Sequence, residues 1–163
     1  MPALFREYMT LDQRRAGAEG LSIAEFKRWS DLKRVLGREF QPGVQDSKQD
    51  RRGSVRVPVR LRMGFESYGE IRESLMTNLS RGGLFVATPN PLPMGATLHL
   101  RIRIEESQQE VEVEGEVASL NSGPGLLDEE LGMGVRFIRL SDAQQKAVDD
   151  LYERSMRRAL ESN

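Results

Sequence analysis

The 163-residue sequence predicts a mainly β fold: a small six-stranded antiparallel barrel with a C-terminal helix and an N-terminal helical extension. Three observations predict it. Apolar residues recur with a period of two from residue 54 to about 139. Helical spacing governs the first 40 residues and those after 141. Turns rich in Gly or Pro, such as PNPLPMG at 89–95 and NSGPG at 121–125, separate most of the alternating segments at the short intervals of a barrel.

The elements follow in order. Leu4, Tyr8 and Leu11 mark a short helix that ends near Gly17 or Gly20. Ser22 and Glu25 have capping-box spacing, in which the hydroxyl accepts from the third helical amide while the carboxylate reaches back to the cap. Leu21 and Phe26 suit the hydrophobic staple around that cap. Phe26, Trp29, Leu32, Val35 or Leu36, and Phe40 then recur on one helical face, with Lys27, Arg28, Lys33 and Arg34 expected on the other. The stretch QPGVQDSKQD at 41–50 breaks that pattern and reads as a linker. The domain expectation is a helical extension at 1–43, a linker at 44–50, and the barrel with its helix at 51–163.

Strands are expected at 54–65, 71–79, 83–88, 97–104, 109–119 and 132–139. In the first, Val55, Val57, Val59, Leu61, Met63 and Phe65 alternate with polar residues, and Pro58, which lacks an N–H, suggests an edge position. Ser141 and Gln144 form a second capping box, followed by Ala147, Val148, Leu151, Tyr152 and Leu160 on one helical stripe.

Composition narrows the function classes. The chain has no cysteine and a net charge of −1, which suits a reducing cytoplasm and argues against a protein that coats nucleic acid. No apolar run approaches a spanning helix of about 20 residues, and MPALFREYMTLDQRR lacks the features of a secretory signal. Charge is segregated: Lys48, Arg51, Arg52, Arg56, Arg60 and Arg62 crowd one stretch, while 104–130 carries only acidic charge. That pattern fits a site for a small anion, and equally two strand faces of opposite sign attracting each other across a sheet.

Signatures of catalysis are mostly absent from the sequence. His99 sits on the polar phase of LHLRIRI without a second histidine or cysteine to complete a metal site. Glu110, Glu112, Glu114 and Glu116 repeat along one strand face as a solvated row, unlike an acid/base pair in contrasting environments. Gly132-Met133-Gly134 opens a strand, so it is no dinucleotide fingerprint. The expectation is a binding protein, not an enzyme, with no cofactor.

Two constellations remain. Arg52 and Arg56 stand four apart, which in an extended strand places them on one side. Guanidinium forks match phosphate oxygens and the O6/N7 edge of guanine. Asn78-Leu79-Ser80-Arg81-Gly82-Gly83 is a polar turn between two strands, where Gly82 and Gly83 permit positive φ and close backbone approach, and the amide and hydroxyl can bond a ligand. Taken singly, the first is a common feature of wet strands and the second a serviceable hairpin turn.

Together they resemble the PilZ family, whose signature is Arg-x-x-x-Arg followed some 20 residues later by Asp/Asn-x-Ser-x-x-Gly. The matching residues are Arg52, Arg56, Asn78, Ser80 and Gly83, and GMGVRFIRL at 132–140 resembles the family's closing strand. The resemblance covers about residues 50–155 and implies a bacterial, cytoplasmic receptor for the second messenger cyclic di-GMP. By that match Arg52 and Arg56 grip guanine edges and phosphates, Asn78 and Ser80 bond the ligand from the barrel, and Gly83 leaves room for it. Arg51, just before the motif, implies two stacked ligands per chain, because a cationic residue there accompanies paired ligands in the family. The helical extension is expected to self-associate or to meet a protein partner, with no nucleic acid and no membrane insertion. The alternatives are a PilZ-like adaptor that works without nucleotide, and a barrel for single-stranded nucleic acid. The second is disfavoured by the low aromatic content and by Phe65, Phe85 and Phe137 falling on phases expected to be buried.

Overall fold

The structure, a computed structural model, describes residues 2–104, 107–127 and 130–161, without the side chains of 49–51. Its elements are α1 (Pro2–Ala16), α2 (Ile23–Phe40), α3 (Asp46–Arg51), β1 (Val57–Ser67), β2 (Glu70–Ser80), β3 (Gly83–Ala87), β4 (Thr97–Ile104), β5 (Gln109–Asn121), β6 (Gly132–Ile138) and α4 (Asp142–Glu161). The chain divides into two compact units: Met1–Val57 with Glu153–Asn163, and Pro58–Tyr152. Among the described residues, no helix is long and apolar enough to cross a membrane.

In the first unit, α1 and α2 form an antiparallel pair whose shared core contains Phe5, Tyr8, Met9, Leu11, Trp29, Leu32, Leu36 and Phe40. The capping box is complete: the Glu25 N–H donates to Ser22 Oγ at 3.2 Å, and the Ser22 N–H donates to Glu25 Oε1 at 3.1 Å. The apolar stripe of α2 is only partly covered. Trp29, Leu32, Leu36 and Phe40 are buried, whereas Phe26 is 53% exposed and Val35 also faces solvent. One assignment is overturned: Lys33, expected on the wet side of α2, is 2% exposed. Six residues of the segment read as a linker or its boundary, Asp46–Arg51, are helical, with Arg38 of α2 bonded to Asp46 at the start of α3.

The second unit is the barrel. Its six strands close in the order β1-β2-β3-β6-β5-β4, and every resolved pairing between them is antiparallel. Closure removes the sheet edges that would otherwise offer unpaired backbone groups. Pro58 is therefore not on a barrel edge; it precedes the first β1–β4 pair, Met63 with Ile102, where its missing N–H breaks no rung of that ladder. Tyr68 and Gly69, both at positive φ, make the two-residue turn between β1 and β2, the turn whose twist matches paired strands.

Alternation fills the interior. Met63 and Phe65 of β1, Met76 and Leu79 of β2, Leu84 and Val86 of β3, Leu98, Leu100 and Ile102 of β4, Val111, Val113 and Val117 of β5, and Met133, Val135 and Phe137 of β6 are all buried. Phe85 departs from expectation. It lies on the outward phase between Leu84 and Val86 and is half-buried. The acidic row of β5 meets arginines on both sides: Arg101 and Arg103 of β4 approach Glu112 and Glu110, Arg136 of β6 pairs with Glu116, and Arg139, just past β6, pairs with Glu114. The attraction across the sheet is real, and it comes from β4, from β6 and from the residue that follows β6. Such exposed cross-strand pairs contribute roughly 0.2–1 kcal/mol each.

At the start of α4, the Gln144 N–H donates to Ser141 Oγ at 3.1 Å and the Ser141 N–H to Gln144 Oε1 at 2.9 Å, so the second capping box also forms. The Gln144 amide reaches the Glu112 carbonyl as well, at 3.0 Å. Val148, Leu151 and Tyr152 are buried on the expected stripe.

Candidate functional site

The two halves of the candidate motif fall in different units, Arg52 and Arg56 in the first and Asn78 to Gly83 in the second.

The arginine segment is not an extended strand at its start. Arg52–Ser54 is bent, and β1 begins only at Val57, so the alternation argument for a shared face does not apply to Arg52 and Arg56. What shapes the segment instead is a set of side chains from α1 and α2. Lys33 Nζ donates to the Arg52 carbonyl at 2.6 Å, and Arg15 Nη2 donates to the Gly53 carbonyl at 2.8 Å. The buried Val55 N–H donates to Tyr8 Oη at 2.9 Å. The Arg52 guanidinium itself bonds Gln41 Oε1, at the C-cap of α2. Both cations that hold the backbone also sit over Trp29, Arg15 at 4.6 Å and Lys33 at 4.5 Å from the ring centroid. The indole N–H donates to the fully buried Asp12 at 2.9 Å.

Burial, and secondarily the like charge of Arg56, lowers the Arg52 pKa to about 10. Arg52 is half-buried and remains charged at neutral pH. Arg56 is shifted down too, by loss of water around its guanidinium. Its side chain nevertheless stays solvent-exposed, and the exposure governs: the penalty on Arg56 is the smaller one. Among the described residues no carboxylate lies within salt-bridge reach of Arg56. The side chain of Arg51 lies outside the described residues; its backbone ends α3.

On the barrel, the β2–β3 register slips between Met76 and Asn78, a bulge that leaves Thr77 without an opposite residue. Bulges re-aim the side chains beside them. Here the next side chain is Asn78, whose buried Oδ1 has no hydrogen-bond partner among the described residues. Such an orphaned acceptor is uncommon in a native fold and marks a place where a donor is missing. Ser80 Oγ donates to the Gly83 carbonyl at 3.3 Å, closing the turn. The Phe137 N–H donates to the Gly82 carbonyl at 2.9 Å, tying the turn to β6.

Neither Gly82 nor Gly83 has a positive φ, contrary to the expectation for this turn. Gly83 is needed for another reason. A Cβ there would lie 2.2 Å from the Val135 carbonyl oxygen of β6, so its missing side chain admits the neighbouring strand. At Gly82 a Cβ would meet nothing within 4 Å.

No pattern in the sequence marks the groups that brace these elements. Arg81, within the turn, holds Asp149 of α4 through two bonds of 2.8 Å. Lys33, Tyr8, Arg15 and Gln41 are equally silent in sequence, because a single cation or hydroxyl on a helix carries no periodic signal. The described residues contain no group of His, Cys, Asp or Glu side chains suited to hold a metal ion.

A closed six-stranded antiparallel barrel followed by a helix defines the class of the second unit. The family model for the PilZ domain matches residues 50–154, and the chain belongs to that family. Solved structures agree on the fold. The Bacillus subtilis inhibitor of motility MotI/DgrA is 26% identical with a TM-score of 0.56, over 69% of this chain and 53% of that one. This chain therefore spans about half the length of that protein. The PilZ domain of YcgR from Escherichia coli, solved with c-di-GMP, is 16% identical with a TM-score of 0.57, over 69% of this chain and 96% of that one. MrkH from K. pneumonia in its apo state is 17% identical with a TM-score of 0.52, over 65% of this chain and 52% of that one. No curated protein matches the chain.

Proposed function

We propose that this protein is a cyclic di-GMP receptor that signals by changing conformation or partner contacts, without turning the ligand over. The observation that carries the reading is the state of Arg52. Its guanidinium is partly stripped of water beside the like charge of Arg56, and its proton affinity falls in consequence. A dianion with two guanines relieves both costs, since it supplies negative charge and planar acceptors to the forks. The PilZ membership and the c-di-GMP found in the YcgR domain support the choice of ligand.

In this reading Arg52 and Arg56 grip phosphates and guanine edges, and Asn78 and Ser80 bond the ligand from the barrel. The orphaned Oδ1 of Asn78 supports that role, because a guanine N–H supplies the donor it lacks. Gly82, where a Cβ would meet nothing within 4 Å, lets the backbone come close to the ligand, and Gly83 holds the turn against β6. Arg51 completes the set for two stacked ligands per chain, offsetting the repulsion of four phosphates.

Self-association or a protein partner for the helices remains part of the reading. Because α2 buries most of its stripe within this chain, the contact surface narrows to Ile23, Phe26 and Val35. Light scattering of the parent and a Phe26→Glu variant checks it: a monomer in both cases removes self-association.

Isothermal calorimetry with cyclic di-GMP, against GTP and cyclic di-AMP, tests the assignment. Saturable binding of cyclic di-GMP alone is the expected result, and no heat with any of the three defeats it.

A further inference from the structure

Lys33 poses a problem that helix packing does not answer. An ammonium 2% exposed is a poor stabilising device, since the cost of taking it out of water commonly exceeds what its contacts return. A Met or Leu would fill the same space on α2 more favourably. The ammonium instead lies 2.6 Å from the Arg52 carbonyl and over the Trp29 ring. Arg15 repeats the arrangement, 4.6 Å from the centroid of the same ring and 2.8 Å from the Gly53 carbonyl. Tyr8 takes the Val55 N–H. Three side chains from two helices thus act on the backbone of one short segment, Arg52 to Val55, and that segment carries the arginine motif.

We propose that Lys33, Arg15 and Tyr8 are positioning residues for ligand recognition, fixing the backbone of Arg52–Val55 so that the guanidinium of Arg52 is presented at a set angle. The helical extension is then part of the binding apparatus and not an independent appendage. Trp29 is the shared platform: both cations lie over its ring, and its N–H on Asp12 holds the ring. Preordering a segment of this kind raises affinity by removing the entropy of ordering it at the moment of binding. The inference rests on the receptor reading above.

The test uses the full chain and two variants that keep side-chain volume, Lys33→Met and Tyr8→Phe, with calorimetric titration of cyclic di-GMP. Lys33→Met is expected to weaken binding about tenfold and Tyr8→Phe about fivefold, in keeping with the loss of one charged and one neutral hydrogen bond. Combined with Arg52→Ala, the Lys33→Met loss should shrink below about twofold, because the group it positions is gone. Parent-like affinity in both single variants overturns the proposal, and so does an undiminished Lys33→Met loss in the Arg52→Ala background, which would be a general packing effect. Amide exchange at Val55 is measured on the same samples without ligand, and is expected to quicken in Tyr8→Phe and Lys33→Met relative to the core amides of α2. If the parent itself binds no cyclic di-GMP, the receptor reading falls and exchange alone decides: faster Val55 exchange upholds the ordering of the segment, and unchanged exchange overturns it.

Discussion

The guanidinium of Arg81 grips the carboxylate of Asp149 through both Nε and Nη2, each at 2.8 Å, with side chains only 10% and 16% exposed. One residue belongs to the turn that carries the Asn-x-Ser-x-x-Gly motif and the other to the middle of α4. The pair fixes the helix to that turn within the barrel unit. Truncating either partner leaves a largely desolvated charge behind, so Arg81→Ala or Asp149→Ala should each destabilise by about 2 kcal/mol. The double variant Arg81→Met with Asp149→Leu should recover most of that loss in urea unfolding. A single variant as stable as the parent would show that the pair carries no weight.

For ligand binding, Arg52→Ala and Arg56→Ala are each expected to weaken cyclic di-GMP affinity by at least about 2 kcal/mol while the circular dichroism spectrum is unchanged. Parent-like affinity in either one places the ligand elsewhere.

The stoichiometry should be two cyclic di-GMP per chain, falling toward one in Arg51→Leu. A second guanidinium beside Arg52 offers a charge to phosphate and a flat face to guanine, which is what a stacked pair of anions requires. A parent that saturates at one ligand refutes the paired mode and leaves the receptor assignment standing.

The two motif glycines should separate cleanly. Gly83→Ala forces a Cβ to 2.2 Å from the Val135 carbonyl oxygen, so β3 and β6 must part, at a cost of at least about 2 kcal/mol. Gly82→Ala meets no atom within 4 Å and needs no positive φ, so its stability should stay within about 0.5 kcal/mol of the parent. Equal thermal midpoints for the two variants would contradict this packing of the strands.

Acid should loosen the helical extension. The Arg28 guanidinium holds Glu7 below its ordinary pKa, the Ser22 amide and then Arg14 hold Glu25 below its own, and Arg38 does the same for Asp46. For carboxylates with lowered folded pKa values, the stabilisation is complete above the unfolded values and disappears as pH falls through the folded ones. Trp29, the single tryptophan, is buried between these helices and reports on them. Its emission should shift to the red as pH drops below about 4, with the transition reduced in Glu7→Gln/Glu25→Gln. Emission that stays constant down to about pH 2 would speak against any such contribution.

Much of this architecture is legible in the sequence. Period-two alternation of Val, Leu and Ile marks a strand with one wet face, and the two Ser-x-x-Glu/Gln boxes start helices at the residues where α2 and α4 begin. These signals are local: each depends on residues a few positions apart and on the backbone geometry they share. Each half of the family motif is local as well, and Arg52, Arg56, Asn78, Ser80 and Gly83 are singled out because the two halves together resemble the PilZ signature.

What only the tertiary structure decided involves pairs far apart in the chain. Lys33 looks like any cation on a polar helical face until α1 and the arginine segment close around it, which alone brings its ammonium to the Arg52 carbonyl. Arg81 and Asp149 are unremarkable until the barrel and α4 meet. Gly83 shows its purpose only beside Val135, since whether a Cβ fits depends on how near the next strand lies. The same holds for the bulge before Asn78, which is a property of two strands in register and has no signature in either one. A sequence dictates which residues prefer water and which backbone shapes they favour; which of them meet is settled by the packing of the whole chain.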